Sequence, residues 1–379
     1  MFSYLADWII DWLKDPVLND LMSPLRLFSY ISFRSAGAFL TAFLISIISG
    51  PWMIRHLIAL KFGQNYDDIA SQIGGRNETK FGIPSMGGVI IHFALIASIV
   101  LWARWNVFVV NCLVGLVLLA GVGFIDDYLK IKKQTGHGAS GKVKIAVQAL
   151  VSIILMVSLF QIEETRSVVT SLHIPFLKEP LIQGSIVVGA VVIFLTIVGS
   201  SNAVNLTDGM DGLAIGCTII VSFVFLIATY VTGHKIFAEY LNIEHLERAG
   251  ELTIVCASII GAGMGFLWFN SHPAQVFMGD TGSLALGGVL GLMAIMIQQP
   301  FLLFIAGGVF VMEAFSVLLQ RYYFKYTRKR FGEGRRIFQM APIHHHFEKI
   351  GWKETKIVMR FYILCILFGT LALVTLKIR

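Results

Sequence analysis

Residues 107–125 read VFVVNCLVGLVLLAGVGFI, a run of 19 residues without a charged side chain, and Asp126 and Asp127 follow it directly. A helix of about 20 mostly apolar residues is long enough to cross the hydrocarbon core of a bilayer. The run therefore predicts a membrane-spanning helix that ends in two adjacent carboxylates.

Nine further apolar runs give the chain about ten predicted spans. Of its 379 residues, 56% are hydrophobic and only 14% are charged, whereas a soluble domain carries about a quarter charged residues. This balance excludes a soluble globular protein and a disordered one, and predicts an all-α integral membrane protein. The predicted spans are 35–54, 84–103, 107–125, 143–160, 183–200, 212–231, 252–269, 283–297, 301–320 and 357–376.

The first 30 residues predict an amphipathic segment that lies in the membrane interface. Asp7, Asp11 and Asp15 recur every four residues, and the apolar side chains fall on the opposite helical face. The segment is not expected to be a signal peptide, because it begins without a basic region. Residues 31–379 are predicted to form a single polytopic domain. The apolar face comprises Phe2, Leu5, Trp8, Ile9, Trp12 and Leu13.

The basic residues predict the orientation of the spans. Nineteen Lys and Arg fall on one alternate set of connecting segments and ten on the other set, which includes both termini. By the positive-inside rule the first set is cytoplasmic and both termini lie outside. The net charge of +7 is therefore explained by membrane topology rather than by a nucleic-acid partner.

Unusual polar groups all fall on the predicted cytoplasmic side. Two of their segments, 201–211 and 270–282, contain no Lys or Arg. Carboxylates gathered at one membrane face repel one another unless a cation neutralises them, and hard oxygen ligands select Mg²⁺. The sequence thus predicts magnesium-assisted phosphoryl transfer at a cytoplasmic cleft. The groups are Asp126 with Asp127, Asp208 with Asp211, Asp280, and the histidines His344, His345 and His346.

Simpler interpretations of single features remain. The Asp pairs could cap helices, and the three histidines could be a solvated loop. The run from Gly136 to Lys142 imitates a phosphate-binding loop, but Val143 replaces the required hydroxyl residue and a span precedes it, so we reject a nucleotide-hydrolase fold. Glu313, inside the ninth span, is either functional or paired with a polar group of another helix. His92 is interpreted as a packing residue.

Five motifs together resemble one enzyme family, the polyprenyl-phosphate N-acetylhexosamine-1-phosphate transferases. The resemblance runs from about Phe33 to the C-terminus, and the string His-His-His-Phe-Glu favours the members that use N-acetylmuramic acid over those that use N-acetylglucosamine. The motifs are Pro84-Ser-Met-Gly-Gly88, Asp126-Asp-Tyr-Leu-Lys130, Asn202-Ala-Val-Asn-Leu-Thr-Asp-Gly-Met-Asp-Gly212, Phe277-Met-Gly-Asp-Thr-Gly282 and Pro342-Ile-His-His-His-Phe-Glu348.

The resemblance implies a reaction and its setting. Phospho-MurNAc-pentapeptide would pass from UDP-MurNAc-pentapeptide to undecaprenyl phosphate, giving UMP and lipid I for peptidoglycan synthesis. It further implies a homodimer in the bacterial inner (cytoplasmic) membrane, ten helices, and a ninth helix that is bent and runs out along the membrane. Tyr322, Tyr323, Phe324 and Tyr326 suit such an interfacial stretch.

Residue roles follow from the same motifs. Asp280 matches the family's magnesium ligand, and Asp126 and Asp127 match its catalytic pair. Whether Asp126 deprotonates the lipid phosphate for direct attack, or a phospho-aspartyl intermediate forms, stays open. Substrate-binding roles are implied for Lys130, Lys142, Asn202, Asn205, Asp208, Asp211, Asn270 and Phe277, and catalytic roles also for His344, His345 and His346.

Two alternative functions are distinguishable. A sibling enzyme would move GlcNAc-1-phosphate from UDP-GlcNAc to the same lipid. A secondary transporter would carry its polar site near the bilayer midplane, often within an inverted repeat. Here most polar groups lie at one end of the spans and no repeat is found, so only Glu313 favours transport.

Overall fold

The computed structural model describes residues 1–12, 23–60, 82–133, 138–174, 177 and 179–377. In these ranges the regular structure is helical, and an isolated β-bridge joins Leu172 and Ile182. The α-helices are α1 Phe2–Trp12, α2 Ile31–Ala59, α3 Gly88–Trp102, α4 Val107–Lys133, α5 Gly141–Phe160, α6 Arg166–Thr170, α7 Ile186–Thr207, α8 Leu213–Gly233, α9 Lys235–Leu241, α10 Leu252–Asn270, α11 Gly279–Met296, α12 Pro300–Ala306, α13 Gly308–Phe331, α14 Ile343–Lys349 and α15 Glu354–Thr375.

The predicted class, an all-α protein with many membrane spans, is confirmed. Within the described ranges, eight helices are long and apolar enough to cross a bilayer, and the bent pair α12–α13 raises the number to nine. The second predicted span, 84–103, differs most, because α3 has only 15 residues. The preceding residues are instead held by backbone hydrogen bonds: Phe277 donates to Pro84, and Gly87 donates to Phe277.

The ninth predicted span is broken. Helix α12 ends at Ala306, Gly307 separates it from α13, and the two helix axes differ by 81°. The bend implied by the family resemblance is therefore present. Its aromatic residues Tyr322 and Tyr326 are exposed on α13, as expected of a stretch that faces lipid or the interface.

Helices α10 and α11 form the centre of the bundle, since every residue of α11 from Thr281 to Met296 is buried. Glycines allow their neighbours to approach closely. A Cβ at Gly287 would lie 2.5 Å from the Ser200 carbonyl oxygen on α7, and one at Gly265 would lie 2.9 Å from the Phe43 carbonyl oxygen on α2. These glycines are helix-packing surfaces.

One end of the bundle is closed by ion pairs. Arg34, at the start of α2, makes two 2.7 Å contacts with the Glu251 carboxylate, which also accepts from the Arg104 backbone N–H at 2.8 Å. Arg104 in turn donates to Asp7 of α1 at 2.8 Å. The amphipathic N-terminal helix is therefore docked here, whereas Asp15 of its predicted acidic face lies outside the described residues.

Candidate active site

The opposite end of the bundle carries the acidic pair. Helix α4 does not end at residue 125 but continues to Lys133, so Asp126 and Asp127 lie inside its last two turns. Both side chains are buried, with 1% and 0% of their surface exposed. Lys130 follows one turn later, so its ammonium group reaches back to the same face of the helix.

Asp127 caps a second helix rather than its own. Helix α11 begins at Gly279, and Asp127 accepts hydrogen bonds from its first turn: from the Asp280 N–H at 3.2 Å, the Thr281 N–H at 2.9 Å and the Thr281 hydroxyl at 2.8 Å. A carboxylate is stabilised at a helix N-terminus by the unpaired N–H groups and the helix dipole. The two helices can approach this closely because Gly123 has no side chain. A Cβ atom at this position would overlap the Asp280 carbonyl.

Two lysines hold the carboxylates of the two helices together. Lys130 Nζ lies 2.6 Å from Asp126 Oδ2 and 3.2 Å from Asp280 Oδ2. Lys144 Nζ lies 3.1 Å from Asp126 Oδ1 and 2.5 Å from the same Asp280 oxygen. Three carboxylates and two ammonium groups thus share one partly buried site with a formal charge of −1, counted over Asp126, Asp127, Asp280 and the two lysines.

Lys144 was not identified from the sequence, which pointed to Lys142. The two residues are about 200° apart around α5 because each helical residue turns by about 100°. Lys142 is exposed, and no ion pair of its side chain is found within the described ranges, whereas Lys144 faces the carboxylates. The signal that separates them is helical phase, which requires knowing that α5 begins at Gly141.

The end of α7 supplies amide groups. Asn205 Nδ2 donates to Asp280 Oδ1 at 2.8 Å and to the Ser283 hydroxyl at 2.9 Å. One turn earlier, Asn202 Nδ2 donates to Gln148 of α5 at 3.1 Å. Asn205 is thus a direct partner of Asp280, the predicted metal ligand. Asn202 connects its own helix, α7, to α5.

Asp208, immediately after α7, lies close to this group of carboxylates. Burial and the neighbouring charges of Asp280 and Asp127 raise its pKa to about 8, while a hydrogen bond from the Gly279 N–H opposes the shift. A carboxyl with this pKa is mostly protonated at neutral pH in the metal-free protein. The raised pKa results first from burial and second from the neighbouring carboxylates that the sequence indicated.

Asp211 and Asn270 belong to a neighbouring cluster. Asp211 Oδ2 lies 3.0 Å from His272 Nδ1, and the Asp211 N–H donates to Glu354 at 2.8 Å. Asn270 accepts from the Gly212 N–H at 3.0 Å. These contacts join the turn after α7, the segment after α10 and the start of α15. His272 and Glu354 were not identified from the sequence, since neither has an acidic residue next to it in the chain.

Phe277 is half-buried, in the segment between α10 and α11. Its backbone is fixed by the hydrogen bonds to Pro84 and Gly87 described above. The Pro84–Gly88 motif thus supports the segment that carries Phe277 and leads into Asp280.

The three histidines point in different directions. His344 is fully buried, with Nδ1 3.1 Å from Glu313 Oε2 on α13. His345 Nδ1 lies 3.1 Å from Glu348, and burial lowers the pKa of its imidazole. His346 Nδ1 accepts from the Gln339 N–H at 3.2 Å. The structure therefore pairs Glu313 with a polar group of another helix, one of the two interpretations made from the sequence.

The oxygen ligands fit a divalent cation. One carboxylate oxygen from each of Asp126, Asp127 and Asp280 lies within 4.8 Å of the others, and the group is at the edge of the buried region. Asp126 and Asp280 make close contacts with ammonium groups that a divalent cation can replace. Both oxygens of Asp127 accept hydrogen bonds from α11, and Lys130 lies farther away, at 3.9 Å. Hard oxygen donors of this kind suit Mg²⁺.

Comparison with known proteins identifies the family. The family model of glycosyl transferase family 4 matches residues 109–298, which include the carboxylate site. The chain is also 45% identical to the phospho-N-acetylmuramoyl-pentapeptide-transferase of Opitutus terrae over 100% of both chains. It belongs to this family of transferases. The enzymes of that name from Koribacter versatilis and Methylacidiphilum infernorum are 44% and 45% identical, over 94% of this chain and 96% of theirs.

Membership of this transferase family separates the alternatives. The relatives carry the name of the muramoyl enzyme, which favours this interpretation over a GlcNAc-1-phosphate transferase and over a transporter. His92 fits its interpretation as a packing residue, because its Nε2 lies 2.8 Å from the Thr281 carbonyl oxygen on α11. The four cysteines are all buried, and none of them forms a disulfide.

Proposed function

We propose that the chain transfers phospho-MurNAc-pentapeptide from UDP-MurNAc-pentapeptide to undecaprenyl phosphate, giving lipid I and UMP. One observation carries the proposal. Two carboxylates and two ammonium groups from three helices contact one another at distances of 3.2 Å or less at one end of a membrane bundle. They belong to Asp126, Asp280, Lys130 and Lys144. This end of the bundle is accessible both to a membrane-bound lipid phosphate and to a water-soluble nucleotide. The name of the full-length relatives supports the sugar and the peptide.

The proposed cofactor is Mg²⁺, held by Asp280. When bound, it would neutralise charge on the pyrophosphate as the leaving group departs. Asn205 orients Asp280 by occupying one of its two oxygens, and Asp127 fixes the helix turn that carries it. Asp127 therefore serves chiefly as a positioning residue, while the sequence motif alone predicted a catalytic role for it.

Asp126 is the proposed proton acceptor. It takes the proton of the lipid phosphate, whose oxygen attacks the sugar-linked phosphorus of the UDP substrate. A new P–O bond forms, the bridging P–O bond between the two phosphorus atoms breaks, and its electron pair leaves with UMP. Lys130 and Lys144 are placed to hold phosphate oxygens during this exchange. Attack by an aspartate, with a phospho-aspartyl intermediate, is the rival scheme.

Binding of the nucleotide and sugar is assigned to the surrounding segments. Phe277 stacks on uracil in this proposal, Asn202, Asp208 and Asp211 line the nucleotide end, and Asn270 with the histidines shapes the sugar–pyrophosphate region. Lys142 was predicted to bind phosphate, and Lys144 is the better-placed residue for that role. We also propose that the chain is a homodimer of the bacterial inner membrane, with both termini outside and this site facing the cytoplasm.

The test is UMP release by purified protein supplied with undecaprenyl phosphate and a panel of UDP-sugars, with and without Mg²⁺. We expect release with UDP-MurNAc-pentapeptide, dependent on both lipid and Mg²⁺. Release with UDP-GlcNAc alone would instead support the sibling activity. Substrate flux across proteoliposomes without UMP formation would support a transporter.

A further inference from the structure

Glu313 is a carboxylate that the proposed chemistry does not use. It lies in α13 with 0% of its surface exposed, and its oxygens have no hydrogen-bond partner within the described ranges. A buried charge without compensation is strongly destabilising, so such a residue needs a partner or a role. Its partner by distance is His344, whose Nδ1 lies 3.1 Å from Glu313 Oε2, within ion-pair range although the angle is not that of a hydrogen bond.

The other nitrogen of His344 faces the active site. Nε2 is buried and has no hydrogen-bond partner within the described ranges, and it packs so closely on Gly209 that a Cβ there would overlap it. Gly209 follows Asp208, whose carboxyl interacts with the Gly279 N–H, next to the metal ligand Asp280. Contacts therefore run from the membrane helix α13 to the turn that carries Asp208.

We propose that Glu313 is a positioning residue, which fixes the His344 imidazole so that Nε2 is presented at the Asp208–Gly209 turn, where it can bond the substrate in the transition state. A carboxylate on one ring nitrogen sets the ring orientation and the tautomer, and this determines what the other nitrogen can do. The inference rests on the proposed transfer reaction, because the readout is its turnover. Glu313 touches no substrate and acts only through His344.

The test is a double-mutant cycle on the full-length enzyme, with kcat and the KM for the UDP substrate measured for Glu313→Gln, His344→Leu and the double variant. We expect Glu313→Gln to lower kcat by on the order of 10- to 100-fold, the usual effect of losing a residue that orients an imidazole. The KM should change less than about threefold, because uniform substrate binding is retained. The double variant should lie within about threefold of His344→Leu.

Ser316→Ala is the matched control. Ser316 is buried one turn along α13 and its hydroxyl donates to the Glu313 carbonyl oxygen at 2.7 Å, so the variant perturbs the same turn without touching the carboxylate. Its kcat should stay within about twofold of the parent, and the thermal unfolding midpoint of Glu313→Gln should show a folded protein. Losses that multiply in the double variant would overturn the inference alone. An inactive parent protein would overturn the proposed function and this inference together.

Discussion

Replacement of Lys144 by Met tests the arrangement of charges in the site. Its ammonium group contacts two carboxylates, at 2.5 Å from Asp280 and 3.1 Å from Asp126, and is 18% exposed. A hydrogen bond to a charged group contributes about 1.5–3 kcal/mol, and about 1.4 kcal/mol corresponds to a factor of ten. If Lys144 holds a phosphate oxygen in the transition state, its loss lowers kcat by about 100-fold.

The same change has a second signature. The three carboxylates and two lysines of the site carry a formal charge of −1. Loss of Lys144 changes this charge to −2, so the site attracts Mg²⁺ more strongly. We therefore expect the Mg²⁺ concentration for half-maximal activity to decrease while kcat falls. A variant that is merely misfolded would lose activity without this decrease.

The assay is UMP release across a series of Mg²⁺ concentrations, with Lys142→Met measured in parallel. Lys142 is two residues away on the same helix and exposed, so the structure predicts less than a twofold change in kcat. A large loss in Lys142→Met together with near-normal turnover in Lys144→Met would refute the reasoning and restore the assignment made from the sequence.

Three further changes test other parts of the site. Asp280→Asn should lower turnover by about 1000-fold, as when a charge-stabilising group is lost, and near-normal turnover at saturating Mg²⁺ would contradict its role as a ligand. Gly123→Ala should destabilise the protein by about 1–3 kcal/mol, measured by unfolding, because its methyl group overlaps the Asp280 carbonyl. In metal-free protein the unfolding midpoint should fall as pH rises from about 4 toward 8. In this range the folded state keeps a proton on Asp208, whose pKa is raised, whereas the unfolded state has released it. Asp208→Asn should therefore weaken this dependence.

The membrane class and most spans could be predicted because a transmembrane helix corresponds to one continuous run of apolar residues in the sequence. The helix ends could not. Helix α4 runs eight residues beyond its apolar stretch, since Asp126, Asp127 and Lys130 are neutralised by partners from α5 and α11. Helix α3 is shorter than its apolar stretch, because the backbone of Pro84–Gly87 pairs with another segment.

The members of the site could largely be predicted, because carboxylates and amides are unusual at the ends of apolar spans. Their division of labour could not, since it depends on side-chain direction in three dimensions. Asp126 and Asp127 are adjacent in sequence, yet one faces two lysines and the other caps α11. The histidines 344–346 look equivalent in sequence, but only the first reaches Glu313.

The central claim is that the carboxylate end of the bundle is the catalytic face of the membrane. Lys132 and Trp105 are exposed near the two ends of α4, about 40 Å apart, and the native cysteines are all buried. In sealed proteoliposomes, single Lys132→Cys and Trp105→Cys variants can be labelled from outside while turnover of the impermeant UDP substrate is measured. Two fractions are compared: the fraction of total turnover seen with substrate supplied only from outside, and the fraction of protein whose cysteine is labelled from outside. We predict that these fractions are equal for Lys132→Cys. Turnover that instead matches the labelling of Trp105→Cys would contradict the account.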